Sequence, residues 1–192
     1  YCDKLRLATM GHVLCEGEFV DHVRMQGDFF RGARYMHYGG VDQLCEITWW
    51  QPAEDRKTVF MLNNLLGPKF ASSAAHLLEK PLVMSECFGL ASQWGVSLRT
   101  LKWLADWNVL MGVNLLEPHA FYYSIQGFRK WECPPGEFYQ SPFWRYYRQF
   151  ADYCARLCYL FRGGRHVADA ALLYPVRGMW AALNPGGNEA TE

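Results

Sequence analysis

The sequence has no long apolar run, no excess charge of one sign and no paired cysteine motif. No stretch approaches the roughly 18 apolar residues of a membrane-spanning helix, and the N-terminus has no signal-peptide pattern. The 19 basic and 19 acidic residues balance to a formal charge of +0. This balance removes the electrostatic basis for binding nucleic acid or an anionic membrane. We therefore expect neither as a partner.

The seven cysteines are an odd number, and no C-x-x-C pair or zinc-type Cys/His cluster occurs among them. Cys154 and Cys158 are four residues apart without further cysteine or histidine partners nearby. Such usage is typical of reduced, mostly buried thiols rather than of a disulfide framework. It predicts a cytoplasmic location, with secretion as the alternative.

Hydrophobic residues make up 51% of the 192 positions, which is enough for a sizeable core. Their pattern predicts an alternation of short strands and helices. Strands are predicted at residues 5–14, 41–48, 81–88, 112–121 and 166–175. Helices are predicted at 18–38, at 69–80, after the N-cap Ser97, and from Ser141-Pro142 to Gly163-Gly164.

Strands that alternate with helices indicate a parallel sheet with crossover helices, hence an α/β fold. A complete (β/α)₈ barrel needs about 250 residues. The chain is shorter, so we predict about four βα units, the C-terminal half of a TIM barrel. Residues 1–165 would form the partial barrel, and residues 166–192 the start of a following domain or linker. A small doubly wound sheet is the alternative.

Carboxylates recur at the ends of the predicted strands. GHVLCEG contains Glu16, LVMSECF contains Glu86 and NLLEPHAF contains Glu117, while Asp42 lies at the start of VDQL. In a parallel barrel the C-terminal strand ends converge on one mouth, where active sites lie. A pair of carboxylates in a cleft is what glycosidic bond cleavage requires.

Two histidines accompany these carboxylates. His12 precedes Glu16 by four residues and shares a face with it on a strand, and His119 follows Glu117 by two. Both histidines are interpreted as hydrogen-bonding scaffold. The alternative is a metal-dependent hydrolase that uses His12, Glu16, Asp42 and His119 as ligands. No loop motif indicates a calcium site.

Four stretches of the chain resemble bacterial glycoside hydrolases with a clan A type barrel. They are GHVLCEGEF, ASSAAHLLEKPLVMSECFG, LKWLADWNVLMGVNLLEPHAFYYSIQGFRK and FADYCARLCYLFRGGRHVADAALLYP. The similarity runs roughly from Leu5 to Pro175 and is strongest to the α-L-rhamnosidase-like family and its uncharacterised relatives. It implies a carbohydrate substrate, and as further partners the N-terminal half of the barrel and flanking β-rich domains. It implies no required cofactor, with a calcium ion in the site as a family-level option.

The resemblance also implies roles for individual residues. Glu86 matches the nucleophile or base on the seventh barrel strand, Glu16 and Asp42 fall on the fifth and sixth, and Glu117 and His119 on the eighth. The family's usual proton donor is a glutamate that follows an asparagine on the fourth strand, and no Asn-Glu precedes Glu16. The donor is therefore either Glu16 or a residue upstream of Tyr1.

The predicted function is hydrolysis of a glycosidic bond in oligo- or polysaccharides. The residues expected to bind the sugar, besides the two catalytic glutamates, are Glu117, His119, Asp42, His12, Tyr122, Tyr123, Arg129 and Trp50. The alternatives are a non-catalytic carbohydrate-binding barrel module and the metal-dependent hydrolase. Sugar, linkage and stereochemistry are not determined by the sequence.

Overall fold

The sheet is parallel throughout and follows the order of the chain. The computed structural model describes residues 1–17, 19–43, 66–89 and 93–183. Strands β1 (Met10–Gly11), β2 (Tyr38–Gln43), β3 (Met84–Cys87) and β4 (Leu115–Pro118) lie in the order β1-β2-β3-β4. A doubly wound sheet reverses its strand order at a switch point, and these four strands do not. The predicted α/β class is confirmed, and the sheet is consistent with a partial barrel.

Helices connect the strands. They are α1 (Phe19–Gln26), α2 (Phe29–Ala33), α3 (Gly67–Leu77), α4 (Leu98–Leu110), α5 (Trp144–Arg162) and α6 (Val176–Ala182). Short 3₁₀ turns occupy Cys2–Leu5, Gln93–Gly95 and Gly127–Lys130. Among the described residues, no helix is long and apolar enough to cross a membrane.

Helix α4 begins and ends at the residues that the sequence predicts. The Ser97 side chain accepts a hydrogen bond from the Thr100 N–H and caps the first turn. At the other end Gly112 adopts a φ of 104°, which a residue with a Cβ atom rarely adopts. Leucines and small residues at helical spacing form the buried face: Leu101, Leu104, Ala105 and Val109.

The core consists of two clusters of buried side chains between strands and helices. One joins the end of β3 to α4 and α5 through Cys87, Phe88, Val96, Leu101, Leu104, Ala105, Tyr147 and Phe150. The other joins α2, β2 and α3 through Phe29, Ala33, Val41, Ala71, Ala74, Ala75, Val83 and Val113. Leu116 of β4 packs against both clusters and connects them.

The second strand begins earlier than predicted. It starts at Tyr38, so Gly39 and Gly40 lie inside it rather than before it. A Cβ atom on Gly40 would lie 2.4 Å from the Met84 carbonyl oxygen on β3. This glycine is therefore a close-approach position in the sheet and not a strand breaker. The remainder of the prediction for 41–48, beyond Gln43, lies outside the described residues.

The N-terminal predictions are partly wrong. The strand predicted at 5–14 is reduced to Met10–Gly11, because Cys2–Leu5 form a 3₁₀ turn that ends at Arg6 with a φ of 54°. The helix predicted at 18–38 is two helices. It is interrupted at Gly27, which has a φ of 74°, and Asp28 then caps α2 by accepting from the Arg31 N–H.

The C-terminal predictions also differ from the structure. Helix α5 begins at Trp144, not at Ser141-Pro142. The strand predicted at 166–175 is wrong, because the segment is irregular and forms no pairing with the sheet. Leu172 and Leu173 are 98% and 91% exposed. Their apolar run resembled a buried strand, but none of the four described strands pairs with it.

Candidate active site

Glu86 lies near the end of β3, with β2 and β4 on its two sides. Along β3 the side chains alternate, so that Val83 and Cys87 enter the two helix-side core clusters and Glu86 faces the opposite side. It pairs in register with Asp42 of β2 and Glu117 of β4. Three carboxylates on neighbouring strands therefore lie at one level of one face.

His12, just beyond β1, forms a direct contact with Glu86. Its Nε2 lies 2.9 Å from Glu86 Oε2, and its Nδ1 lies 3.2 Å from Glu16 Oε1. Nδ1 is also 2.5 Å from the Val13 carbonyl oxygen. The hydrogen bond with Glu16, then those with Val13 and Glu86, raise the pKa of His12 to about 10, although burial acts to lower it. An imidazolium thus joins the two carboxylates.

The surroundings of Glu16 differ from those of Glu86. Its side chain is 1% exposed, whereas that of Glu86 is 29% exposed. Glu16 Oε1 accepts a hydrogen bond of 2.8 Å from the Val13 N–H. The chain does not continue as a strand here but turns, which brings residues 12 and 16 together. Of the two predicted catalytic carboxylates, Glu86 is the one that an outside molecule can reach.

Asp42 is a partly buried carboxylate with an unused acceptor. Burial raises the pKa of Asp42, and the nearby carboxylates of Glu86 and Glu16 act in the same direction, whereas His12 and His119 oppose them. Its Oδ1 has no hydrogen-bond partner among the described residues. Such an oxygen can accept a hydrogen bond from a ligand hydroxyl.

His119 brings a second imidazole to Glu86, from the end of β4. Its Nε2 lies 4.0 Å from Glu86 Oε1, and its Nδ1 has no hydrogen-bond partner in the described part of the chain. The ring packs edge-to-face on Tyr122 with 6.1 Å between centroids. The Tyr122 hydroxyl donates to the carbonyls of Glu132 and Cys133, which fixes this ring beside the site.

Two other predicted sugar-binding residues, Tyr123 and Arg129, do not join this cluster. Tyr123 is 91% exposed, and its carbonyl accepts from the Tyr139 hydroxyl. Arg129 is exposed on the 3₁₀ turn Gly127–Lys130. Trp50, like its neighbour Trp49, lies outside the described residues. The structure thus brings together His12, Glu16, Asp42, Glu86, Glu117, His119 and Tyr122.

The donor set does not form a metal centre. Among the residues that the structure describes, no group of three or more His, Cys, Asp or Glu side chains is placed to hold a metal ion. Both nitrogens of His12 are already within hydrogen-bond distance of protein oxygens, so the proposed ligand set of His12, Glu16, Asp42 and His119 is not arranged for coordination. We derive no step through calcium or another metal.

Glu137, which the sequence analysis did not single out, is a fully buried carboxyl group close to the site. Its side chain is 0% exposed, and its N–H donates to the carbonyl of Ala120, the residue after His119. The signal in the sequence is a lone carboxylate within the apolar and turn-forming stretch CPPGEFY. The sequence of a predicted loop does not indicate that one of its carboxylates is buried.

Two known proteins are similar to this chain, and no family model matches it. A protein of Formosa agariphila described as a "putative beta-glucuronidase" is 29% identical over 112 residues, which are 54% of this chain and 9% of that protein. The structure of rhamnosidase from Novosphingobium sp. PP1Y superposes with a TM-score of 0.64 at 22% identity. That match covers 88% of this chain and 15% of the other.

Both matches agree with the resemblance to glycoside hydrolases seen in the sequence, and the resemblance is confirmed at that level. The structural match demonstrates a shared fold. The chain spans less than a sixth of the length of either relative. The two matches therefore do not assign the activity of either whole protein to this chain.

Proposed function

We propose that this chain belongs to the catalytic barrel of a glycoside hydrolase, with Glu86 as the nucleophile or general base. One observation carries the proposal: Glu86 is an accessible carboxylate at a strand end, 2.9 Å from the charged imidazole of His12. An ionised carboxylate is what attack on an anomeric carbon, or activation of a water molecule, requires. The His12 ring nitrogen donates a hydrogen bond to Glu86 Oε2 and so fixes the orientation of this carboxylate.

The proton donor is the second role that the reaction needs. Glu16 was predicted for it and stays a candidate, but it is buried and its Oε1 contacts both His12 and the Val13 N–H. A proton from Glu16 would reach a sugar only through the His12 ring or after that ring moved. We therefore expect Glu16 to act mainly by holding His12 against Glu86. Glu117, level with Glu86 on β4, and residues beyond this chain are the alternative donors.

The sugar would lie over the three carboxylates. Asp42 and Glu117 flank Glu86 and can accept hydrogen bonds from sugar hydroxyls. The Tyr122 ring can contact the sugar, because hydrogen bonds from its hydroxyl to two loop carbonyls fix its position. The substrate class of the proposal is a glycoside, and α-L-rhamnoside is the specific form to test first. Glucuronides are the second class, because one relative carries that description.

The test is to compare Glu86→Gln, Glu16→Gln and Glu117→Gln in the complete protein on two kinds of substrate. Dinitrophenyl glycosides have a leaving group that needs no proton, whereas alkyl glycosides need one. Glu86→Gln should lose roughly a thousandfold or more of kcat on both. The variant that removes the donor should lose activity on the alkyl glycoside and retain it on the dinitrophenyl glycoside.

Glu132→Gln is the matched control, since Glu132 is exposed on the loop after β4 and the substitution leaves in place the backbone carbonyl that accepts from Tyr122. It should behave as wild type. A protein in which Glu86→Gln is as active as the control would refute the assignment. Sugar binding without turnover of any glycoside would instead favour a non-catalytic carbohydrate-binding module.

A further inference from the structure

Glu137 is a buried carboxyl group that has no ion-pair partner among the described residues. The Tyr147 hydroxyl of α5 donates to Oε2 over 2.5 Å, while Oε1 has no hydrogen-bond partner among the described residues. The titratable groups that interact with it are Tyr147 and Cys154 of α5 and Cys87 of β3. In the described part of the chain no lysine, arginine or histidine forms an ion pair with it.

This environment favours the neutral acid. Burial raises the pKa of Glu137 to about 8, and the hydrogen bond from Tyr147 acts in the opposite direction. The neutral carboxyl group also matches its surroundings, because the neighbouring hydroxyl and thiols carry no positive charge. Ionisation would place an unpaired charge in an apolar core, which is unfavourable.

Two backbone hydrogen bonds connect Glu137 to the candidate active site. The Glu137 N–H donates to the Ala120 carbonyl over 2.9 Å, and the His119 N–H donates to the Cys87 carbonyl over 2.8 Å. Ala120 follows His119, and Cys87 follows Glu86. A displacement of Glu137 is therefore passed directly to the strand end that carries His119.

The loop around Glu137 has little room to absorb such a displacement. A Cβ atom on Gly136 would lie 3.0 Å from Tyr122 Cδ2 and 3.3 Å from Trp94. Close packing of this kind transmits strain rather than dissipating it. Tyr122 in turn packs on the His119 ring, which gives a second route from the loop to the site.

We propose that Glu137 is a positioning residue that holds the loop after β4 against α5 and keeps His119 beside Glu86. It does so as a neutral carboxylic acid, and its ionisation at alkaline pH loosens the loop. The function that His119 would serve rests on the proposed glycosidase activity. The positioning itself does not, so it is measured by a readout that needs no substrate.

The readout is the NMR chemical shift of the His119 ring proton in the complete protein, followed against pH for its response to Glu137. The chain has six histidines, and His119→Gln identifies the signal by its loss. In wild type the signal should show an inflection near pH 8, the value for Glu137. Glu137→Gln, a neutral amide of the same shape, should remove the inflection that depends on Glu137. The exposed control Glu132→Gln should keep it.

Tyr147→Phe provides an independent variant should Glu137→Gln fail to fold. It removes the hydrogen bond that stabilises the ionised form, so the inflection should move to higher pH. An inflection unchanged in Glu137→Gln, or one that does not move upward in Tyr147→Phe, overturns the proposal. A protein that shows the Glu137-dependent inflection but cleaves no glycoside supports this inference and removes the proposed function. A protein that cleaves a glycoside but shows no Glu137-dependent inflection supports the proposed function and overturns this inference.

Discussion

At the scale of single residues, the site is defined by the position of His12 between two carboxylates. One ring nitrogen contacts buried Glu16 and the other contacts accessible Glu86. A charged ring in this position donates hydrogen bonds to both carboxylates and orients Glu86. Glu16 is needed for this arrangement because it and the Val13 carbonyl hold the far side of the ring.

The pKa of His12 predicts how stability depends on pH. In the folded protein the pKa of His12 is raised from 6.5 to about 10. The contribution of charged His12 to the free energy of unfolding is therefore fully present below pH 6.5 and is lost as the pH rises toward 10. His12→Gln should therefore lower the free energy of unfolding by about 2 kcal/mol at pH 6. The difference should disappear above pH 10. Denaturant unfolding at both pH values measures it, and an equal loss at both would contradict the charged state of His12.

The raised pKa of Glu137 predicts that stability also depends on pH in a second, lower range. Its folded pKa is raised from 4.5 to about 8, so the folded state retains a proton that the unfolded chain has released. Wild type should lose roughly 1.4 kcal/mol of stability per pH unit across this window. Glu137→Gln should not show this loss, and its advantage over wild type should grow from pH 5 to pH 8.

Thermal melts of both proteins across that window measure this difference. The exposed control Glu132→Gln should follow wild type. Parallel curves for wild type and Glu137→Gln would show that the carboxyl group does not titrate within the window.

At the scale of elements, the distance between β2 and β3 is set by a glycine. A side chain on Gly40 would meet the Met84 carbonyl oxygen at 2.4 Å and its Sδ at 2.6 Å. The backbone contact cannot be relieved by a rotamer change. Since Asp42 and Glu86 are carried by these two strands two residues further along, the glycine also determines how close the two carboxylates lie.

Gly40→Ala should therefore be strongly destabilising and Gly39→Ala should not. A Cβ atom on Gly39 meets only the Ala33 Cβ, at an ordinary 3.8 Å. We expect Gly40→Ala to lower the free energy of unfolding by about 3 kcal/mol. The Gly39→Ala change should lie within about 1 kcal/mol of wild type. Equal denaturation midpoints for the two variants would contradict the close-approach interpretation.

At the scale of the whole molecule, the segment after α5 returns to contact α1, α2 and α3. Tyr174 stacks on His22 and contacts the rings of Phe30 and Phe70. The Trp180 indole N–H donates to the Gly27 carbonyl over 2.7 Å. The final described part of the chain is therefore attached to α1, α2 and α3 at a few aromatic points, although its sequence predicts a strand.

Tyr174→Ala should release this segment. The loss of ring packing should lower the free energy of unfolding by about 2 kcal/mol. Residues 163–175 should also become more sensitive to limited proteolysis. Leu173→Ala is the matched control, because Leu173 is 91% exposed and its truncation removes no packing. Identical cleavage rates for the two variants would show that Tyr174 does not anchor the segment.

Much of the element pattern was predictable because it depends on local chemistry. The cap at Ser97 and the C-terminal Gly112 determine α4 by themselves, and the apolar run before Glu86 indicates a buried strand. The prediction of a strand at 166–175 was wrong because an apolar run indicates which residues favour burial but not which element packs against them. The interruption at Gly27 was missed because apolar spacing continues across it.

The sequence by itself determined the parallel α/β order, the recurrence of carboxylates near strand ends and the similarity to glycoside hydrolases. These follow from periodicity and residue type, which are properties of neighbours along the chain. Only the tertiary structure decided which carboxylates become accessible, how His12 joins Glu16 to Glu86, and that Glu137 is buried close to them. Contacts such as that between residues 12 and 86 span 74 positions, and only the packing of strands brings such residues together.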